Sequence, residues 1–239
     1  MENGLVSRGW LKRKKTAALL LAGDDMPWIV LNEDDPVRIR ASSHGLSVQA
    51  TYAQANALER QLARRTPFAR SDAFGYLTAR PEDAGTGLRA AVILHLPAAA
   101  WESALEDAAR EARRRGLSLQ PISDEEGQPL CDLYALATPS AFDRTAEQAL
   151  VGLDEAARAL IAWERTLRDK AASRDPDAFA DRVSRSVGLL RYALRMDARE
   201  FGTHWSHLRL GMTRGLCEGS LPAWDAALPR LQNAHLIRR

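Results

Sequence analysis

The chain has 239 residues, of which 46% are hydrophobic and 27% charged, and its formal net charge is +2. This composition is typical of a soluble globular protein, and the balanced charge argues against the basic excess of a nucleic-acid-binding protein. Two distant cysteines, Cys131 and Cys217, exclude a disulfide framework and a zinc knuckle. Because no stretch approaches the roughly eighteen apolar residues of a membrane span, we expect a cytoplasmic protein without membrane or nucleic-acid partners.

The first 140 residues alternate strand and helix patterns. Ala17–Leu21 and Trp28–Leu31 predict two strands joined by a turn at Gly23-Asp24-Asp25. Val37–Arg40 alternates apolar and basic residues, which predicts a third strand with both arginines on one face. Further along the chain the patterns predict a helix, a strand, a helix and two strands, respectively Thr51–Arg65, Leu88–Leu96, Trp101–Arg115, Leu117–Ile122 and Leu133–Ala137.

Two of these segments carry more detailed predictions. The helix over Thr51–Arg65 is expected to pack through a stripe of Ala53, Ala57, Leu58 and Leu62. The helix over Trp101–Arg115 is expected to end at Gly116, since glycine is common just after the last helical residue.

From Thr145 onward the pattern becomes almost purely helical, with breaks at Asp175-Pro176 and at Gly219–Pro222. We therefore predict an α+β domain over residues 1–160 and a helical domain over residues 161–239.

Three clusters carry candidate chemistry. Asn32-Glu33-Asp34-Asp35 places three carboxylates beside Arg38 and Arg40, Thr86 lies between two glycines just before Arg89, and Asp124-Glu125-Glu126 forms an acidic loop. Each cluster alone is typical of a solvated turn. Together they indicate a phosphoryl-transfer site, because carboxylates can hold a guanidinium and arginines on neighbouring strands can clamp triphosphate oxygens.

Several motifs give this pattern a family resemblance. Phe74-Gly75-Tyr76-Leu77-Thr78, Pro81 and Gly85-Thr86-Gly87-Leu88-Arg89-Ala90 resemble the signature around the reactive-cysteine loop of guanidino kinases. The run from Asn32 to Ile39 resembles the N-E-E-D-H-x-R-I strand of the same family. The segments 181–188 and 208–211 resemble the helical domain of bacterial protein-arginine kinases, which belong to the ATP:guanidino phosphotransferase family.

The resemblance implies an antiparallel sheet flanked by helices, glutamine-synthetase-like, followed by an all-α domain that can mediate homodimers. It implies ATP and Mg²⁺ as ligands and a protein as substrate or partner. By position, Arg38 and Arg89 would bind ATP phosphates, adjacent strands would bring them side by side, and Ala90, Ala91, Val92 and Ile93 would line the nucleotide. Asp34 would engage the guanidinium, and Glu125 would grip it from a mobile loop.

The chain also departs from the family pattern. Only 31 residues precede Asn32, so the family's S-S-R-x-R phosphate-binding segment is expected to be missing through an N-terminal truncation. Arg80 replaces the reactive cysteine, Asp83 an asparagine, Gln120 an arginine, Asp34 a glutamate and Pro36 a histidine. Losing about three phosphate-binding arginines would remove on the order of 5–9 kcal/mol of nucleotide binding.

Two functions therefore stay open from the sequence. One is a protein-arginine kinase homologue that transfers the ATP γ-phosphate to a guanidinium and is impaired in isolation. The other is a pseudokinase that keeps the fold as a regulatory or adaptor module. A natural start upstream of Met1, which would restore the missing segment, is a third reading.

Overall fold

Short strands and a helix open the described part of the chain, and long helices close it. The computed structural model describes residues 16–21, 23, 26–123, 127, 129–139 and 144–228. The strands are β1 Ala18–Leu20, β2 Trp28–Leu31, β3 Val37–Arg40, β4 Arg70–Ser71, β5 Gly75–Tyr76, β6 Ala91–His95, β7 Ser118–Ser123 and β8 Pro129–Ala137. The helices are α1 Val48–Ala63, α2 Pro97–Trp101, α3 Leu105–Arg114, α4 Ala146–Arg174, α5 Pro176–Tyr192, α6 Ala198–Thr213 and α7 Leu221–Ala227.

The first sheet confirms the predicted hairpin and third strand. Its order is β1-β2-β3, and both neighbouring pairs are antiparallel. Leu19 lies opposite Val30, and Ile29 lies opposite Ile39. Val30 is fully buried, because alternate residues of a strand point to one face. Asp24 and Asp25 of the predicted turn lie outside the described residues.

The predicted stripe of α1 is wrong in part. Ala53 and Ala57 are exposed, although Leu58 and Leu62 are half-buried as expected. The helix begins three residues before the predicted start, at the buried Val48. The packed face therefore follows helical spacing from Val48 and shifts away from the two alanines.

After a two-stranded sheet of β4 and β5, a third sheet has the strand order β6-β8-β7, which confirms the three later strands. The helix predicted over Trp101–Arg115 is wrong at its N-terminal end. Helix α2 ends at Trp101, Ser103 adopts a positive φ of 54°, and α3 starts at Leu105. A left-handed residue cannot continue a right-handed helix, so the segment divides there. Gly116, with a φ of 68°, follows the end of α3 as predicted.

The predicted helical region is present, and both predicted breaks fall where expected, whereas a further break between α5 and α6 was not predicted. Asp175 accepts a hydrogen bond from the Ala178 amide at 3.0 Å and so caps α5. Ser220 likewise accepts from the Ala223 amide at the start of α7. These side chains satisfy amides that have no partner inside the helix. None of the described helices combines the length and apolar character that crossing a bilayer requires.

The described residues fall into two compact units. The first contains those within Met1–Val92 and Ala137–Ala156, and the second those within Ile93–Leu136 and Ala157–Arg239. The segment with β7 and most of β8 thus groups with the helices. The two-domain division at residue 160 remains a prediction.

A buried carboxylate organises the second unit. Glu164 on α4 accepts hydrogen bonds from the Ala98 and Ala99 amides, at 2.9 and 3.0 Å, and from Arg168 Nε at 2.8 Å. It therefore caps the first turn of α2 and pairs with a cation of its own helix. Burial raises the pKa of the Glu164 carboxyl despite these hydrogen bonds.

Strand β8 and helix α6 approach each other closely in this unit. Cys131 and Asp132 both have positive φ angles, of 59° and 51°, and Ser206 Oγ donates to Asp132 Oδ2 at 2.5 Å. A Cβ atom on Gly202 would lie 2.9 Å from Cys131 Sγ, so a larger residue there would force this side chain to shift. Burial raises the pKa of the Cys131 thiol to about 12.

The second unit also contains a histidine that resists protonation. His207 Nδ1 lies 2.9 Å from Ser186 Oγ, and burial, aided by Arg182 and His204, lowers the pKa of His207 to about 4. In the unfolded chain a histidine has a pKa near 6.5. Below that pH the unfolded state binds a proton that the folded state does not, so His207 reduces stability as the pH falls from about 6.5 to about 4.

We therefore expect a His207→Gln variant to lose less stability on acidification than the natural chain. The difference should be about 1 kcal/mol per pH unit between pH 6 and pH 4.5. Urea unfolding of both proteins at several pH values measures it, and carboxyl groups common to both cancel. Parallel pH profiles would contradict the assignment.

Candidate active site

The turn between β2 and β3 gathers two arginines around one buried glutamate. Glu33 is only 3% exposed. Its Oε2 atom accepts from Arg38 Nη1 at 3.1 Å and from Arg40 Nη2 at 2.7 Å. The prediction that both arginines share one face of β3 is thereby confirmed, because both reach the same oxygen.

Asp35 joins this turn to the loop that follows β5. Its Oδ2 accepts from Arg38 Nη2 at 3.2 Å, and its Oδ1 accepts from the Ala79 amide at 2.7 Å. Arg38 is consequently held between two carboxylates. A guanidinium with two such partners is well oriented, and one N–H on each of its two terminal nitrogens is engaged.

Asp34 makes the contact with the most direct chemical meaning. Its Oδ2 lies 2.7 Å from Nη2 of Arg80. Both side chains keep substantial exposure, at 34% and 47% respectively. Asp34 therefore pairs with a guanidinium of the chain itself, and its role toward a substrate guanidinium stays a prediction.

Glycines set the shape of the loop that carries Arg80. The Tyr76 amide donates to the Gly85 carbonyl at 2.8 Å, and the Gly85 amide donates back to the Tyr76 carbonyl at 3.1 Å. Gly75 has a φ of 70°, and a Cβ there would collide with the Gly85 carbonyl. Between these contacts, residues Pro81–Asp83 form one 3₁₀ turn.

That turn brings Asp83 to Arg89. Asp83 Oδ1 accepts from Arg89 Nε, and Asp83 is only 4% exposed. Its other oxygen, Oδ2, is buried and has no hydrogen-bond partner among the described residues. A buried carboxylate oxygen without a hydrogen bond costs folding free energy, so the rest of the fold must offset this cost to keep Asp83 in place.

The segment after Arg89 is fastened to the end of β8. The Ala90 amide donates to Thr138 Oγ1 at 3.1 Å, and the Thr138 amide donates to the Ala90 carbonyl at 2.9 Å. Of the predicted nucleotide-lining residues, Ala91 is exposed and Val92 half-buried, and Ile93 is 63% exposed. The Ala90 amide is thus engaged within the chain.

One geometric expectation is wrong. Arg38 lies in the sheet β1-β2-β3, whereas Arg89 precedes β6 of another sheet, so adjacent strands do not bring them side by side. Both arginines instead contact the loop that follows β5, or a residue bound to it. Arg89 pairs with Asp83 of this loop, and Arg38 pairs with Asp35, which accepts from the Ala79 amide of the same loop. Glu125 lies outside the described residues.

Charge in this network is balanced. It contains four arginines and four carboxylates, which are Arg38, Arg40, Arg80, Arg89, Glu33, Asp34, Asp35 and Asp83. Their formal charges sum to zero. A guanidinium or an anionic oxygen that bound here would compete with these internal ion pairs.

Sequence reasoning found most of these residues but missed two roles. It noted Arg80 and Asp83 as departures from the family pattern without anticipating their partners. The signal was present in part, since a cation and an anion three residues apart on a Pro-initiated turn can both face the same site. Nothing in the sequence indicated which arginine each carboxylate would form an ion pair with.

The fold places the chain in a known class. It resembles the duplicated taurocyamine kinase of Schistosoma mansoni with a TM-score of 0.56 and 21% identity, over 63% of this chain and 21% of that one. It resembles lombricine kinase with a TM-score of 0.54 and 22% identity, over 61% and 40%. The class is thus the α+β phosphagen-kinase fold.

The chain belongs to the ATP:guanido phosphotransferase family, because residues 1–167 match its C-terminal catalytic domain. It is 27% identical over 99% of its length to a protein-arginine kinase of Caldanaerobacter subterraneus, covering 70% of that protein. It is 30% identical over 92% of its length to one of Shouchella clausii, covering 62%. One of Clostridium novyi is 29% identical and 63% covered, so the chain spans somewhat under two thirds of these last two relatives.

Proposed function

We propose that this chain is a protein-arginine kinase homologue that transfers the γ-phosphate of ATP to an arginine guanidinium, and that it does so slowly. The observation that carries this proposal is the contact of 2.7 Å between Asp34 and the Arg80 guanidinium. This contact supports the proposal because the Asp34 carboxylate pairs with the same chemical group that the reaction modifies. The protein-arginine kinases among the relatives support the same reaction class.

Each residue would have a defined task in this reaction. Asp34 would hold the substrate guanidinium and accept the proton that it loses as the nitrogen–phosphorus bond forms and the bond from the γ-phosphorus to the bridging oxygen breaks, which releases ADP. Arg38 and Arg89 would hold phosphate oxygens, where their charge stabilises the transferring group. Glu125 would close over the guanidinium.

The remaining ligands belong to the same proposal. Ala90, Ala91, Val92 and Ile93 would border the nucleotide, and Mg²⁺ would arrive on its phosphate oxygens. Within the described residues no group of three or more acidic, histidine or cysteine side chains is placed to hold a metal. A protein would supply the arginine, and a second copy of the chain could bind through the helices, in the cytoplasm.

The balanced charge of the site predicts weak binding of ATP, and weak binding supports a low rate of phosphoryl transfer. ATP carries several negative charges, and a site with zero formal charge gives it little net attraction. The triphosphate would compete with Glu33, Asp35 and Asp83 for their arginines. Each charge-assisted hydrogen bond lost in that exchange is worth roughly 1.5–3 kcal/mol.

A pseudokinase is the second candidate. The observation that favours it is that the candidate cations and carboxylates already pair with each other. In that case the domain would act as a regulatory or adaptor module, and Mg-ATP would not bind at millimolar concentration.

Phosphoarginine formation tests the proposal. We expect the chain to produce phosphoarginine on an arginine-rich protein when it is incubated with Mg-ATP, as measured by mass spectrometry. Asp34→Asn should lower the rate about 100-fold or more, because it removes the proton acceptor.

Asp72→Asn is the matched control, since Asp72 is an exposed acid on the β4–β5 turn. It should leave the rate unchanged. If no phosphoarginine forms and calorimetry detects no Mg-ATP binding, the kinase proposal is wrong and the pseudokinase reading holds.

A further inference from the structure

One short turn reaches both halves of the candidate site. Arg80 and Asp83 are three residues apart, and the Asp83 amide donates to the Arg80 carbonyl at 3.0 Å. Arg80 contacts Asp34, the candidate guanidinium carboxylate. Asp83 contacts Arg89, the candidate phosphate arginine. The same four-residue segment, 80–83, therefore engages one residue from each proposed subsite.

The chemistry of the two contacts matches that of the two proposed substrates. The Arg80 guanidinium is the same group as that of a substrate arginine. The Asp83 carboxylate is an anionic oxygen acceptor, as a phosphate is, and arginine recognises both by charge-assisted hydrogen bonds. We propose that segment 80–83 is an internal occupant of both subsites, which external arginine and nucleotide must displace. This inference rests on the proposed function and adds a regulatory element to it.

The unsatisfied Asp83 Oδ2 is an independent observation in favour of displacement. This oxygen is buried without a hydrogen-bond partner among the described residues. A native contact that leaves such an atom is less stable than one that satisfies both oxygens. The Asp83–Arg89 pair is therefore suited to being exchanged when Arg89 is offered a phosphate with several acceptor oxygens.

The two contacts differ in exposure, which assigns them different weights. The Asp83 side chain is 6% exposed, whereas Arg80 is 47% exposed. An exposed ion pair is screened by water and contributes little, so an arginine substrate can displace Arg80 readily. Charge on a buried group is screened less by water and salt, so we expect Asp83 to affect nucleotide affinity more than Arg80 affects arginine affinity.

Binding measurements on neutralised variants test the inference. We expect Asp83→Asn to raise the affinity for Mg-ATP about tenfold or more by calorimetry, because Arg89 loses a charged competitor and the site gains one positive charge. Asparagine keeps an oxygen that can accept from Arg89, so the turn should persist. Asp72→Asn makes the same charge change on an exposed turn and should shift the affinity about twofold at most.

A second variant tests the subsite at Asp34 that would bind the substrate guanidinium, and it changes no buried residue. Arg80→Ala should bind N-acetyl-arginine methylamide several-fold more tightly than the natural chain, as followed by NMR titration of the Asp34 carboxyl carbon. The same variant should not tighten Mg-ATP binding, because it removes a positive charge.

The outcomes separate this inference from the proposed reaction. If Asp83→Asn and Asp72→Asn bind Mg-ATP alike, or if Arg80→Ala leaves the arginine probe unchanged, the internal occupant is refuted. Phosphoarginine formation is then still judged by its own assay. If the affinities for Mg-ATP and for the arginine probe rise as expected while no phosphoarginine forms, segment 80–83 is an internal occupant and the kinase proposal is wrong.

Discussion

Replacing Glu164 with alanine is expected to lower the free energy of unfolding by about 3–5 kcal/mol. The substitution removes the acceptor of the Ala98 and Ala99 amides and the partner of Arg168. Arg168 keeps only 12% of its side-chain surface exposed, so its charge would stay buried without its carboxylate. Removing one partner of a buried ion pair lowers stability far more than removing an exposed ion pair.

Urea unfolding followed by circular dichroism measures this loss. Glu164→Gln should cost less, because the amide keeps one acceptor oxygen and burial disfavours the ionised carboxylate that it replaces. Glu155→Ala, at an exposed position of the same helix, should change stability by at most about 0.5 kcal/mol. Equal losses for Glu164→Ala and Glu155→Ala would show that the buried network contributes nothing.

Trp205→Ala is expected to cost a similar amount, about 3–5 kcal/mol. Trp205 is 2% exposed, and its ring meets His95 edge-on at 5.7 Å between centroids. Its indole nitrogen donates to the Trp224 carbonyl at 3.2 Å, and Trp224 donates back to the Trp205 carbonyl at 3.2 Å. The variant therefore leaves a large cavity and removes the indole that joins α6 to α7.

Trp205→Phe separates these two effects, since it retains an aromatic ring but loses the indole donor. We expect about half of the alanine loss, measured by the same denaturation. Loss of α7 from α6 should also appear as faster amide exchange at residues 221–227. A Trp205→Ala protein as stable as the natural chain would contradict the packing described for this helix pair.

Much of the fold follows from local sequence. The hairpin of β1 and β2 and the strand β3 are predicted because apolar alternation and turn residues act over a few positions. The helix breaks at Asp175 and Ser220 follow from capping chemistry in the same way. The division between α2 and α3 was missed because Ser103 adopts its left-handed conformation for reasons that its type does not reveal.

The site was predictable in composition but not in its pairings. Arg38, Arg89 and Asp34 are candidates predicted from motifs, and contacts link them through neighbouring residues; their roles stay predictions. The pairings depend on a loop that folds back over a long sequence separation, as Ala79 and Asp35 are 44 residues apart. Local patterns carry no information about such contacts, so the neutral charge of the assembled network emerged only from the structure.

The burial of Cys131 has a consequence for chemical durability. A thiol reacts with electrophiles and peroxide as the thiolate, and a pKa of about 12 leaves on the order of one molecule in 10⁵ ionised at pH 7. Burial also raises the pKa of Cys217, the other cysteine. Both cysteines are therefore expected to react with peroxide more slowly than an exposed thiol would.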